Sequence, residues 1–243
     1  MSGISECPIS QGGIIAAGAG TRLNTDGRCG SKPMVRVAGR PLIDHALSRF
    51  RAVGIRHLTV IINETSDDCR QWLNSQVHDL DIEVIVRTTA SSYASFQLVA
   101  ARLAPSPAVI TTVDSIMPTG DFRDFVKSAG RFPRGAVVLG LTDYVDDDSP
   151  LWATLDPSDG RIRRLGGDDG SHVTAGLYVL PAERPAAPTP AFGRLREYLG
   201  WLVAEGHPVY GIALPRVFDI DRARDIAAAE EGMSGREPRD GSA

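Results

Sequence analysis

The sequence predicts an α/β fold: one doubly wound domain whose sheet is mostly parallel, with an antiparallel hairpin added. Three observations carry that expectation. Short apolar runs alternate with helix-spaced patterns through the first 140 residues, the signature of a parallel sheet with right-handed crossovers. The first apolar run ends in glycines, in the string Gly12-Gly13-Ile14-Ile15-Ala16-Ala17-Gly18-Ala19-Gly20. Past residue 150 the rhythm changes, and two short strand-like runs flank the turn Asp156-Pro157-Ser158-Asp159-Gly160.

The elements follow in order. Residues 12–17 read as a buried parallel strand. In residues 41–53 the apolar positions Leu42, Ile43, Ala46, Leu47, Phe50 and Val53 recur at helical spacing, with Pro41 in the first turn. Strands are expected at 57–62, 82–86, 108–113 and 136–141, and helices at 67–76, 92–103 and 121–130. The hairpin spans 151–155 and 161–165, and a strand follows at 172–180. A helix at 191–204, a strand at 208–214 and a helix at 222–231 close the fold, which is Rossmann-like in its alternation.

Composition bounds the function. The chain has 243 residues, 42% of them hydrophobic and 23% charged, which is ordinary globular material. A net charge of −4 excludes a general affinity for nucleic acid or anionic membrane, so any phosphate site must be local. Cys7, Cys29 and Cys69 are widely spaced and form neither a disulfide framework nor a metal motif; a reducing, cytoplasmic setting is expected. No run is long and apolar enough for a membrane span, and the first residues lack the pattern of a secretory signal. The expected organisation is a flexible tail over 1–11, one domain over 12–231 and a disordered tail over 232–243, as a monomer or homodimer.

Ligands of open parallel sheets bind at the carboxyl ends of the strands. The first strand delivers Gly18, Gly20, Thr21 and Arg22 to that edge. Glycine there lets backbone N–H groups approach an anion, and Arg22 and Lys32 supply a guanidinium fork and a point charge for phosphate oxygens. The segment looks like a triphosphate cradle. A dinucleotide fingerprint is excluded because Arg22 and Leu23 stand where its third glycine would fall, and the P-loop string is absent. The bland alternative is a glycine-rich turn with solvated cations. Asp114, at the end of the apolar run Ala108–Val113, places a carboxylate at the same edge, or else simply begins a turn.

The string A-A-G-x-G-T-R-L, followed after a short loop by K-P-x-x-x-V-x-G-x-P-L, resembles the signature of nucleotidyltransferases, above all the sugar-1-phosphate nucleotidyltransferases. The resemblance implies a fold of the nucleotide-diphospho-sugar transferase type. It also implies an Mg²⁺-dependent transfer of NMP from an NTP to a sugar-1-phosphate, with release of pyrophosphate. Under it, Arg22 and Lys32 are catalytic: Arg22 steadies the pyrophosphate and Lys32 neutralises the α-phosphate. Ala16, Ala17, Gly18, Gly20, Thr21, Arg22, Thr89 and Ser92 hold the nucleotide. Asp114 and Asp221 hold the metal, the latter through Phe218-Asp219-Ile220-Asp221, which is similar to the family's element before its last helix. Asp219 is the alternative ligand, and helix capping is the structural reading of Asp221. Thr174 and Gly176, in Val173–Tyr178, face the acceptor.

Three departures stand out. Val113 precedes Asp114 where the family has glycine; the family's Glu-Lys-Pro is absent, leaving Arg163 or Arg164 for the acceptor phosphate; and residues 88–96 are rich in serine where glycines are usual. Ser92 also reads as a helix cap. The serines are compatible with relatives that cytidylylate small phospho-alcohols such as phosphocholine, the first alternative. A nucleotide-binding module without catalysis is the second.

Overall fold

The strand β1 (Gln11–Ala16) is the axis of the molecule, flanked in parallel by β4 (His57–Ile62) and β6 (Ala108–Thr112), with β5 (Asp81–Val86) parallel to β4 at the edge. The computed structural model describes residues 9–18, 30–76, 79–145, 149–188 and 192–234. The strand order turns back on itself at β1, which is the switch point where doubly wound sheets bind ligands.

Beyond β6 the sheet becomes mixed. The long strand β11 (His172–Leu180) runs antiparallel to β6 and, on its other side, to β8 (Val137–Thr142) and β9 (Trp152–Leu155). β9 forms the expected hairpin with β10 (Ile162–Leu165), and β12 (Val209–Leu214) lies parallel to β8. The expected fold class therefore holds, with a parallel half around β1 and an antiparallel half around β11.

Helices cover both faces. On one lie α1 (Leu42–Ala52), α2 (Asp67–Gln76), α4 (Thr119–Ala129) and α6 (Ala223–Ser234), packed in a core that includes Ile14, Phe50, Cys69, Phe122, Phe125 and Ala229. On the other lie α3 (Ser92–Leu103) and α5 (Leu195–Ala204), around Tyr93, Phe96, Val99, Leu139, Tyr198 and Leu202. Burial of such apolar side chains, each worth about 1.5–3 kcal/mol, is the main source of stability.

Two glycines let these layers close on β1. A Cβ on Gly12 would overlap Phe50 and Leu58, and one on Gly13 would overlap Val99. Cys69 is buried, which raises its thiol pKa to about 12 and leaves it inert; Cys7 and Cys29 lie outside the described residues.

The boundaries differ from expectation at a few places. β1 begins at Gln11, Ile9 packs against the core and α6 runs to Ser234, so described structure reaches slightly into both expected tails; residues 1–8 and 235–243 lie outside the described residues. The N-cap of α3 is Ser91, whose Oγ accepts from the Ala94 N–H at 3.1 Å, and Ser92 is the first helical residue. Four short strands escaped the sequence: β2 (Arg36–Val37) with β3 (Arg40–Pro41), and β7 (Ser115–Ile116) with β13 (Phe218–Asp219).

Candidate active site

The pairing of β7 with β13 builds the site. Chain leaves β6 at Thr112, turns through Val113-Asp114 and enters β7, which pairs antiparallel with β13 just before α6. The Ile220 N–H donates to the Asp114 carbonyl at 3.1 Å and locks the two segments together. Asp114, Asp219 and Asp221, remote in sequence, thereby present carboxylate oxygens that all lie within 4.8 Å of one another.

The backbone that carries Asp221 is held by a residue of α6. The Asp225 carboxylate accepts from the backbone N–H of Asp221 at 2.9 Å and of Arg222 at 2.6 Å. Asp225, in the first turn of α6, thus holds the backbone N–H groups ahead of the helix, where a carboxylate meets the positive end of the dipole. Asp219 and Asp221 both reach the cluster, as their two-residue spacing in extended chain allows.

Lys32 enters from the other side. It opens a short 3₁₀ turn, Lys32–Met34, with Pro33 inside it. Upstream, the Ser31 N–H donates to Asp68 Oδ2 at 2.9 Å, tying the turn to the start of α2. The ammonium lies 2.6 Å from Asp114 Oδ2 and 2.5 Å from Asp221 Oδ1, and only 9% of the side chain is exposed. Burial pulls the Lys32 pKa down, but Asp114, then Asp219 and Asp221, outweigh it and hold the amine above its ordinary value. Burial likewise disfavours the Asp114 carboxylate, yet Lys32 and the Thr112 hydroxyl keep its pKa below the usual range. Three hard carboxylates so close suit a divalent cation of the Mg²⁺ kind.

Two cavities flank the cluster. One, of about 420 Å³, lies between the end of β1 and the start of α2 and is lined by Gly18, Gly30, Ser31, Lys32, Thr65 and Asp68 among others. Above it Asn63 braces three strand ends: its Nδ2 donates to the Ala17 carbonyl at 3.2 Å, and its Oδ1 accepts from Thr65 and Thr88. Ala16 and Ala17 are buried, so they offer the edge only backbone. Gly20, Thr21 and Arg22 lie outside the described residues.

The other cavity, of about 320 Å³, opens between β11 and α5 and is lined by Asp114, Ser115, Thr174, Gly176, Asp219 and Arg196 among others. Gly176 explains its own identity. It bulges at φ +67°, and a Cβ there would fall on Ser115 Oγ and Thr112 Oγ1. Thr174 lines this cleft, and so does Ser92, expected beside the nucleotide, whose Oγ accepts from the Leu195 N–H at 3.0 Å and fixes the start of α5. Thr89 is turned into the α3 cap, its Oγ1 sharing a hydrogen bond with Ser95 Oγ at 2.6 Å.

Arg163 and Arg164 do not reach the cleft. They pair locally on the hairpin, with Asp156 and Asp169 respectively, each at 2.6 Å. The cation on the cleft wall is Arg196, in the first turn of α5, which donates to the Ser149 carbonyl at 3.0 Å. Sequence reading passed over it because it sits on a helix where arginine is ordinary surface. No helix among the described residues is long and apolar enough to cross a membrane.

Residues 12–228 match the family profile described as the MobA-like NTP transferase domain. The chain is 25% identical over 191 residues to the CMP-5'-(3-aminopropyl)phosphonate synthase of Streptomyces rubellomurinus, covering 69% of this chain and 27% of the relative. It is 26% identical over 241 residues to the bifunctional IPC transferase and DIPP synthase of Rubrobacter xylanophilus, covering 91% of this chain and 51% of the relative. The chain thus spans between about a quarter and a half of the length of these relatives. Its fold superposes on the inositol-1-phosphate CTP transferase from T. maritima with a TM-score of 0.74 at 19% identity, over 92% of this chain and 97% of the other.

Proposed function

Because the chain belongs to the family of MobA-like NTP transferase domains, we propose that it transfers a nucleoside monophosphate from an NTP to a small phosphorylated acceptor. The observation that carries this reading is the convergence of Lys32 with Asp114, Asp219 and Asp221 at the carboxyl edge of the sheet, between a glycine-lined cavity and a hydroxyl-lined one. In the reaction an anionic oxygen of the acceptor attacks the α-phosphorus, the new O–P bond forms, and the α–β bridging bond breaks to leave pyrophosphate. No proton has to move, which agrees with a site whose polar side chains are cations, carboxylates and hydroxyls.

Asp114, Asp219 and Asp221 would hold the divalent cation, Mg²⁺ in this proposal; when bound it neutralises phosphate charge. Lys32 places a point charge at the α-phosphate, and Arg22 remains assigned to the pyrophosphate. Gly18 keeps the nucleotide cavity open beside β1. Arg196 takes over the role expected of Arg163 or Arg164 and orients the acceptor phosphate, with Thr174 and Ser92 presenting hydroxyls to the rest of the acceptor. Phosphoryl chemistry of this kind is governed by positioning and charge stabilisation, which such a constellation supplies.

Acceptors divide into sugar-1-phosphates, the first expectation, and small phospho-alcohols or phosphonates. The second class gains weight from the named activities of the phosphonate synthase relative and of the inositol-1-phosphate CTP transferase whose fold this chain shares, and cytidylyl transfer with it. A matrix of nucleotides against hexose-1-phosphates, amino-sugar-1-phosphates, inositol-1-phosphate, phosphocholine and aminoalkyl phosphonates, read by pyrophosphate release, tests this. Turnover with CTP and a polyol phosphate or phosphonate is the expected result. Nucleotide binding without turnover on any acceptor would leave a binding module instead.

A further inference from the structure

We infer that Lys32 is a resident counter-cation of the carboxylate cluster, so that the site accepts a divalent cation only jointly with the triphosphate that draws Lys32 away. The inference rests on the nucleotidyl-transfer reading above and concerns how that site is loaded.

The Lys32 ammonium lies in the gap between Asp114 and Asp221, where the carboxylate cluster would take a metal. The Lys32 nitrogen is 2.6 Å from one carboxylate and 2.5 Å from the other. A divalent cation of the Mg²⁺ kind sits about 2.0–2.1 Å from its oxygens and demands their lone pairs. The ammonium competes with it for Asp114 Oδ2 and Asp221 Oδ1 and repels it as a like charge a few Å away. Binding the metal therefore means expelling a buried cation from its ion pairs, and a buried charge that loses its partners is strongly disfavoured.

The backbone fixes which part can move. Ser31 is held to Asp68, and the Lys32 carbonyl accepts from the Val35 N–H at 3.1 Å, closing the 3₁₀ turn, so the main chain is anchored on both sides of the residue. The four-carbon stem is not. A short swing takes the ammonium toward the cavity that Lys32 itself lines with Gly18 and Gly30. With that cavity empty of anion, the displaced ammonium gains nothing. With a triphosphate there, it finds a phosphate oxygen, and the carboxylates become open to the metal. Metal and nucleotide then assist each other by the same factor in both directions, because coupling is reciprocal.

The test uses Mn²⁺ as the metal probe. Free Mn²⁺ is followed by electron paramagnetic resonance with the full chain alone and with CTP, UTP, GTP, ATP or dTTP, after correction for metal bound by nucleotide in protein-free solution. The expected result is that the wild type alone binds Mn²⁺ at least about tenfold more weakly than with a bound nucleotide. Lys32→Met, its fold checked by thermal melt, should bind Mn²⁺ without nucleotide at least about tenfold more tightly than the wild type. Equal Mn²⁺ affinity of the wild type with and without nucleotide overturns the inference, and this comparison stands even if Lys32→Met does not fold. An unchanged affinity in a folded Lys32→Met also overturns it. If calorimetry finds nucleotide bound but uncoupled to metal, the inference fails and the transferase reading survives; if no nucleotide binds at all, both fail.

Discussion

The carboxyl edge of the sheet and the helix layer behind it each bury one cation, and they treat it in opposite ways. At the edge, Lys32 is surrounded by Asp114, Asp219 and Asp221, and its amine is held above its ordinary pKa despite burial. Between α1 and α4, Arg49 is 2% exposed and, among the described residues, has no carboxylate beside it. Its Nε and Nη2 lack hydrogen-bond partners, the Phe122 ring lies 5.8 Å from the guanidinium carbon, and burial pushes its pKa down to about 10. Burial is common to both, so burial alone does not mark a working charge. What marks Lys32 is a set of partners drawn from two segments distant in the chain, and a cavity for it to move into.

The sharpest way to break this comparison is Asp114→Asn. It removes one ligand charge while leaving Lys32 paired with Asp221, so the fold should hold. Turnover should fall roughly a hundred- to thousand-fold, about 3–4 kcal/mol on the barrier, and excess Mg²⁺ should restore part of it. Turnover across a Mg²⁺ series, with a melt alongside, reads this; full activity, or an unfolded variant, removes Asp114 from the site.

Next in size is Gly176→Ala, which asks whether the cleft beside the paired cation needs its bulge. A methyl at φ +67° meets the hydroxyls of Ser115 and Thr112. A loss of about 2 kcal/mol in stability, together with lower turnover, is expected from strain and overpacking. A melt unchanged from wild type would show that the bulge relaxes freely.

Arg49→Met probes the other cation. Methionine keeps much of the stem volume and removes a charge that has no ion partner, so stability should rise by about 1 kcal/mol with turnover unchanged. A clear drop in denaturation midpoint would mean that the ring contact with Phe122 outweighs desolvation.

The smallest effect concerns His45, four residues earlier on α1. Its Nε2–H donates to the Val37 carbonyl at 2.9 Å, since a carbonyl can only accept. Burial lowers its pKa, the Val37 bond opposes this in part, Arg40 and Arg49 lower it further, and Asp44 offsets them. The folded state thus keeps the ring neutral, while the unfolded chain takes up a proton below the ordinary 6.5. Its contribution to stability is present above that pH and is lost as pH falls through it. Melting temperatures from pH 8 to 5 should show a decline that His45→Gln flattens; parallel curves for the two proteins would rule the histidine out.

Much of the fold was legible because its long elements declare themselves by period. The helix Ser92–Leu103 and the strand His57–Ile62 lie where the pattern puts them. β7 and β13 did not, since two residues have no period and their pairing links segments far apart in the chain. That pairing is what gathers the site, so the sequence could nominate Asp114, Asp219, Asp221 and Lys32 individually but could not show Lys32 bonded to the carboxylates rather than awaiting a phosphate. Arg163 and Arg164 were plausible by position along the chain, yet acids of their own hairpin, Asp156 and Asp169, sit nearer than the cleft. Arg196 carried no signal at all until α5 was seen to open on the cavity.

The two glycines of β1 have a bearing on how this scaffold can be rebuilt. Gly12 admits Phe50 and Leu58, and Gly13 admits Val99, so the strand is gripped from both faces with no slack for a single added carbon. Gly18, only a few residues on, has nothing within 4 Å of where its Cβ would stand. A library selected for folding alone should therefore tolerate variety at 18 and almost none at 12 or 13, while one selected for turnover should also hold 18 to small residues, because Gly18 lines the cavity proposed for the nucleotide. Under the proposed function, the positions at which to redirect the acceptor are Ser92, Thr174 and Arg196, which share a cleft without sharing the gripped strand, so that diversity introduced there leaves the datum from which every other distance in the site is measured where it was.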